Sequence, residues 1–264
     1  MTRVRYGART PDELENREVK ATSVGAWATS MTAIYETDPE VVAAVLPPPL
    51  EPSGEPLVRI TVARVDLGRG LPPFGAGTFA VQARHEGVVG NYPLVMPMTT
   101  EQSVIGGRET FGEPKKLAEV TLERGGGDAG DRIVGRVTRL GTTFIEVEGT
   151  VVEALPTPPE NDRVDFYFKF LPAPDGKGFD AEPALVYCHR HETSRSLERI
   201  EGTVTLRESR FDPVADLPVR RLVAITVAER STIQRGEIVT RVPSDWLVPF
   251  VHQRYDDLSP VGED

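Results

Sequence analysis

Gly107-Arg108-Glu109-Thr110-Phe111-Gly112-Glu113-Pro114-Lys115-Lys116-Leu117-Ala118 is the stretch on which the reading of this chain turns. Of 30 basic residues only Lys20, Lys115, Lys116, Lys169 and Lys177 are lysine, and two of those are adjacent here. Where plain positive charge suffices, the chain uses arginine. Only lysine can be an amine nucleophile, because guanidinium stays protonated and delocalised. An attacking amine must be neutral although its ordinary pKa is about 10.4, so burial or a neighbouring cation has to lower it. The imine it forms is then an electron sink. The plainer alternative is a pair of solvated lysines, the usual fate of the residue. Consecutive side chains on a strand face opposite ways. If Lys115 enters a pocket, Lys116 points away and desolvation is the larger influence on Lys115. Glu113 shares the face of Lys115. A carboxylate there favours the ammonium but can also shuttle protons once an imine exists. Lys115 is expected to be buried in an enclosed cavity, and the other lysines, Lys116 aside, exposed.

Outward from this stretch the chain reads mainly as strands. Residues 29–36, 57–65, 77–84 and 87–94 alternate in period two or are rich in β-branched and aromatic residues. Residues 117–123 and 132–139 flank a glycine-rich hairpin tip at 125–130, and 142–153 continues the meander. Further strands are expected at 164–170, 184–190, 200–207 and 222–229. Helices are few. Asp38-Pro39 starts one that Pro47-Pro48-Pro49 stops. A short one over 100–105 is stopped by Gly106-Gly107, and one over 244–255 meets an objection in Pro249. The proline-rich 155–159 reads as a loop, so residues 1–264 are expected to form a single α+β, mainly β domain.

With 264 residues, 39% of them hydrophobic and 27% charged, the composition is that of a soluble globular chain. No apolar run reaches the roughly 20 residues of a membrane helix, and the first 20 residues lack the apolar core of a secretory signal. Cys188 is the only cysteine, which excludes an internal disulfide and paired-cysteine zinc sites. These features point to a cytoplasmic protein. A net charge of −10 argues against nucleic-acid and anionic-membrane partners.

Other motifs carry less. In Cys188-His189-Arg190-His191-Glu192 the two histidines share a face but lack an evident third ligand. The reading is an edge strand with outward histidines and no metal. Gly75-Ala76-Gly77 reads as a turn, not a phosphate loop. His85, beside Arg84, is a candidate acid or base.

The quoted stretch closely resembles the signature of acetoacetate decarboxylase and its relatives: a Gly-Arg-Glu element, a five-residue spacing to Pro-Lys-Lys, and the following leucine. Similarity extends through Tyr35-Glu36-Thr37-Asp38, Leu46-Pro47-Pro48-Pro49-Leu50-Glu51, Glu55-Pro56-Leu57-Val58-Arg59 and Asp216-Leu217-Pro218-Val219. The resemblance implies a closed or cone-shaped β-sheet arrangement with a few peripheral helices and a largely apolar cavity. It also implies a homo-oligomer and an imine mechanism that needs no cofactor. It assigns Lys115 as the Schiff-base lysine and Lys116 as its perturbing neighbour. Glu113 is a candidate proton carrier, and Arg108, Glu109 and His85 are candidate substrate contacts.

The chain departs from that pattern where the family's substrate-carboxylate arginine would fall, at Trp27-Ala28-Thr29, and where two pocket glutamates align with Thr61 and Ala76. Arg84, Arg108 or Lys116 would have to supply the missing cation. The expectation is therefore a Schiff-base-forming lyase for a small oxo acid or ketone, with slow or absent decarboxylation of acetoacetate itself. Aldolase-dehydratase or hydratase chemistry on a pyruvate-like donor is one alternative, and a non-catalytic small-molecule binder on the same fold is another.

Overall fold

Strand after strand places small or polar residues on one face and large apolar residues on the other, and this alternation organises the molecule. The computed structural model describes residues 4, 6–15, 26–68, 70–125 and 131–256. Its strands are β1 (Trp27–Glu36), β2 (Glu51–Pro52), β3 (Leu57–Asp66), β4 (Phe74–His85), β5 (Val88–Met98), β6 (Lys115–Leu117), β7 (Glu119–Arg124), β8 (Arg132–Arg139), β9 (Thr142–Leu155), β10 (Asn161–Lys169), β11 (Ala184–Leu206) and β12 (Arg221–Arg241). The α-helices α1 (Pro39–Val45), α2 (Glu101–Phe111) and α3 (Ser244–Leu247) accompany them, and residues 11–15 are also helical.

Seven strands close a barrel in the order β10-β5-β4-β3-β1-β12-β11, with β11 pairing back to β10. The β10–β5 contact is parallel and rests on Asp165 opposite Asn91; the other six pairings are antiparallel. The far half of β11 leaves the barrel and pairs with β9, from which β8 and β7 follow. This second sheet lies against β3 and β4. Gly75 and Gly135 mark the approach: an added Cβ would come within 2.2 Å of the Val120 carbonyl oxygen and 3.0 Å of Val62 Cβ.

The two faces of the wall have opposite chemistry. Met31, Ala33 and Tyr35 of β1, Val58, Ile60 and Val62 of β3, and Phe79 and Val81 of β4 are buried in the main apolar cluster with Ile133, Val137, Phe144 and Ile145. Their neighbours Ala28 and Ser30, Arg59 and Thr61, and Ala76 and Thr78 line a cavity inside the barrel. The main apolar core thus lies outside the barrel wall, and small, polar and charged side chains enter the lumen beside apolar ones such as Met96 and Met98. Burying a large aliphatic or aromatic side chain in that core contributes roughly 1.5–3 kcal/mol.

Several expectations are corrected. The helix expected over 100–105 continues through Gly106 and Gly107 to Phe111, and stops only at Gly112, which is left-handed at φ 82°. Gly75-Ala76-Gly77 belongs to β4; Gly75 serves close approach rather than a turn. The two strands expected at 184–190 and 200–207 are one, because β11 runs from barrel to outer sheet without interruption. It pairs on both sides, so it is not an edge strand. The helix expected over 244–255 ends after Leu247 and continues as a 3-10 turn over 248–253, where Pro249 cannot donate. Most of the hairpin tip, 126–130, lies outside the described residues. Strands on both sides of the 155–159 segment share the one sheet. No helix among the described residues is long and apolar enough to cross a membrane.

Candidate active site

Helix α2 and its exit deliver the lysine. Gly112 is both left-handed and cramped, since a Cβ would lie 2.6 Å from Lys169 Cα. The chain turns there, and β6 joins β5 in parallel with Lys115 opposite Met96. The Arg108 guanidinium donates to the Lys115 carbonyl (2.9 Å) and the Arg254 carbonyl (3.2 Å), and stacks over Tyr255 at 4.9 Å. It holds the backbone of the reactive segment.

Lys115 and Lys116 diverge as adjacent strand residues must. Lys115 enters the barrel cavity, which encloses about 490 Å3. Its Nζ lies 2.7 Å from Glu113 Oε2, with the two side chains 12% and 1% exposed. Lys116 leaves on the other side and is held by the Phe211 carbonyl (2.8 Å), Asp212 (2.9 Å) and Asp256 (3.1 Å). Arg139 binds both of those aspartates. Lys177 is exposed as expected, Lys169 is half-buried, and Lys20 lies outside the described residues.

Gly107 sets how closely the Lys115–Glu113 pair sits against α2. A Cβ there would stand 1.9 Å from Glu113 Oε2 and 2.6 Å from both Lys115 Cδ and Nζ. Only a glycine leaves that space.

From Lys115 a string of alternating charges runs along the lumen. Glu113 Oε1 meets Arg190 at 3.2 Å, and Arg190 Nε meets Asp165 at 2.5 Å. Asp165 also holds Arg163, which meets Glu192 at 3.1 Å, and Glu192 meets Arg230 at 3.4 Å. Burial pushes the Asp165 carboxyl up, but Arg163 and Arg190 outweigh it and hold the group well below the usual carboxylate range. Glu192 is likewise held low by Arg163, Arg230 and Arg59 against the opposing effect of burial. Arg190 also donates to Gln234 (2.7 Å) and Tyr167 (2.9 Å). The cavity keeps a largely apolar wall, with Val65, Phe74, Met96, Met98 and Phe111 in its lining, and the charged string runs through it.

The structure brings together two of the site residues read from sequence, Lys115 and Glu113. The other four lie off the cavity lining. Lys116 faces away, Arg108 serves the backbone, Glu109 is exposed, and His85 is buried against Tyr187 with Nδ1 2.6 Å from the phenol oxygen. Arg84 pairs with Glu51 at the surface. None of Arg84, Arg108 and Lys116 supplies a cation to the cavity; Arg59, Arg163, Arg190 and Arg230 do. Their signal was period-two spacing, with Arg163 and Asp165 on one face of β10 and Arg190 and Glu192 on one face of β11. His189 and His191 point outward, 49% and 41% exposed, beside Glu237 and Asp162. Ala28, Thr61 and Ala76 all line the cavity.

A closed β-barrel with a lysine amine held against a buried carboxylate defines the class of architecture. The sequence model described as acetoacetate decarboxylase (ADC) matches residues 9–242, and the chain belongs to that family. It is similar to the acetoacetate decarboxylase of Paraburkholderia phytofirmans, 28% identical over 210 residues covering 78% of this chain and 81% of that one. The acetoacetate decarboxylase of Bordetella avium is 29% identical over 215 residues, 78% and 83% of the two chains. Among solved structures, an acetoacetate decarboxylase superposes with a TM-score of 0.71 at 22% identity, covering 84% of this chain and 92% of the other. The enduracididine biosynthesis enzyme MppR complexed with pyruvate gives 0.69 at 17% identity, with 82% and 90% covered. An acetoacetate decarboxylase-like enzyme from Sphingomonas wittichii RW1 gives 0.66 at 19%, with 85% and 95% covered. Family membership indicates an enzyme of the lyase type.

Proposed function

We propose that this protein is a Schiff-base-forming lyase that acts on a small oxo acid or ketone through Lys115, with Glu113 carrying protons. The observation that carries the reading is the Lys115 amine inside the cavity, 2.7 Å from a carboxylate that is itself 1% exposed. Transfer of one ammonium proton to Glu113 Oε2 leaves a neutral amine that can attack a carbonyl carbon. Return of that proton to the carbinolamine hydroxyl releases water and forms the iminium. The iminium accepts the electron pair of a bond broken next to it, either to a departing carbon dioxide or to a proton taken by Glu113. The resulting enamine then takes a proton or attacks an aldehyde.

Between these outcomes the site favours proton abstraction followed by aldol or dehydration chemistry. Ala28, Thr61 and Ala76 offer no charge at the positions where the decarboxylase pattern has an arginine and two glutamates, while a carboxylate stands beside the amine. The relationship to MppR, solved with pyruvate, supports the same direction. Borohydride reduction in the presence of pyruvate and of acetone, followed by intact mass and peptide mapping, tests the reading. A covalent adduct on Lys115 is expected. Its absence with every carbonyl compound tried would leave a non-catalytic small-molecule binder. Carbon dioxide release from acetoacetate, measured in parallel, is expected to be slow or absent. Turnover near an ordinary enzymatic rate of about 10 per second would overturn that part.

A further inference from the structure

The charge string in the lumen is not balanced. Lys115, Arg59, Arg163, Arg190 and Arg230 line the cavity against Glu113, Asp165 and Glu192, five cations to three carboxylates, an excess of two positive charges. The three carboxylates are already engaged: Glu113 by Lys115 and Arg190, Asp165 by Arg163 and Arg190, and Glu192 by Arg163 and Arg230. Arg59 makes no hydrogen bond or ion pair to the described residues, and the buried Nε of its neighbour Arg230 is also without a partner among them. Burial, with Arg163 and Arg230 nearby, pushes the Arg59 guanidinium down to about 10 against the weaker opposing pull of Glu192 and Asp165, and it is still charged at neutral pH. Arg59 is half-buried, and a cation held there with no counterion in contact carries part of the cost of desolvation. A bound anion would remove that cost.

The place of Arg59 is informative. It lies beyond the last link of the string that begins at Lys115, and it lines both the main cavity and a second chamber of about 230 Å3 past Arg163, Glu192 and Arg230. It does not substitute for the arginine missing at Ala28. Ala28 pairs with Val65, whereas Arg59 pairs with Ile34, six residues further along β1. At about 3.3 Å per residue that is roughly 20 Å.

We infer that Arg59, with Arg230 beside it, binds a carboxylate of the substrate at the end of the cavity remote from Lys115. The substrate is then an oxo acid whose carbonyl and carboxylate are separated by a chain of several bonds, a dicarboxylate oxo acid being the fullest match to the two excess charges. This rests on the imine reading for the identity of the carbonyl, but not for the anion site itself.

Glutarate, a dicarboxylate with no carbonyl to trap, tests the anion site independently. Calorimetric titration of the full chain should show binding, and Arg59→Met should weaken it at least tenfold. Arg59→Met breaks no direct ion pair and removes only one of the three arginines that hold Glu192 low, so its thermal midpoint should stay close to the parent's. Should it nevertheless fail to fold, Arg59→Lys keeps the charge without the bidentate fork and should weaken binding several-fold. No binding to the parent, or equal binding to parent and folded variant, would overturn the inference. Tighter binding of inorganic phosphate than of glutarate would overturn its carboxylate assignment. Borohydride trapping supplies the second arm. Arg59→Met should raise the half-saturating concentration of 2-oxoglutarate at least tenfold and leave that of acetone within twofold. Equal shifts for both would refute an anion-specific role. Loss of glutarate binding in Arg59→Met together with no adduct from any carbonyl in the parent would sink the imine reading and leave the anion site standing.

Discussion

Replacing Gly107 by alanine adds one methyl group where the reactive pair touches helix α2. Ordinary contact begins near 3.4 Å, so the Glu113 oxygen would have to retreat by about 1.5 Å from 1.9 Å and the Lys115 amine by about 0.8 Å from 2.6 Å. Both atoms end flexible side chains, so the fold can give way at modest cost. Overpacking of about 1–3 kcal/mol is partly offset by the roughly 1 kcal/mol that alanine gains over glycine inside a helix. Chemistry is less forgiving. Misplacing a reacting group by about 1 Å can cost on the order of 100-fold, or about 2.7 kcal/mol of barrier. Gly107→Ala should therefore slow borohydride-trapped adduct formation with pyruvate about 100-fold while lowering the thermal midpoint by only a few degrees. Gly106→Ala is the matched control. A Cβ there meets nothing within 4 Å, so it should trap within a few-fold of the parent and unfold slightly later. Parent-like trapping by Gly107→Ala would refute the claim that this contact positions the amine.

Lys115→Arg should abolish adduct formation, since guanidinium cannot form an imine, whereas Lys116→Arg should retain some; equal trapping by both would mean the nucleophile is misassigned. Lys116→Met leaves Asp212 and Asp256 to Arg139 alone, and a loss of about 1.5–3 kcal/mol in denaturant unfolding is expected. Glu113→Gln removes the proton acceptor and should slow trapping by about 100-fold to 10,000-fold; an unchanged rate would exclude Glu113 from the proton path. Asp165 and Glu192 are held below the usual carboxylate range by arginines. Their contribution to stability is complete above the unfolded-state values of about 3.9 and 4.3 and is lost as pH falls through them toward the lower native ones. Thermal midpoints should therefore fall steeply below about pH 4, and Asp165→Asn should flatten that fall.

Most of the strands were legible because alternation survives in a wall whose two faces differ, while closure of the sheet followed only from the family resemblance. What alternation does not reveal is which face is the inside. Met31, Ala33 and Tyr35 read as the buried face of β1, and they are buried, but against the outer sheet. The residues between them line the lumen. The same ambiguity hid the charged string. Arg190 and Glu192 sit beside two histidines that drew attention as metal ligands, yet period two sends the histidines outward and the arginine and glutamate inward. Gly106-Gly107 misled in another way. Glycine is a poor helix former, so the pair reads as a stop. Close approach of Lys115 and Glu113, invisible in one dimension, is the reason for Gly107.

The opposed directions of the two lysines bear on how the amine is controlled. A cation lowers a neighbouring amine's pKa only if its field reaches that amine unneutralised. Lys116 lies on the far face of β6, and its charge, with that of Arg139, is met by Asp212 and Asp256. Within the cavity the nearest groups are instead Glu113 and, through Glu113, Arg190. On the proposed imine reading Glu113 takes a proton from Lys115 and returns it to the departing hydroxyl, and Arg190 fixes that carboxylate in place. On the proposed reading, the groups that serve the amine are therefore the carboxylate and the arginine on its own side of the strand, and the second lysine fastens the residues around Asp212 and Asp256.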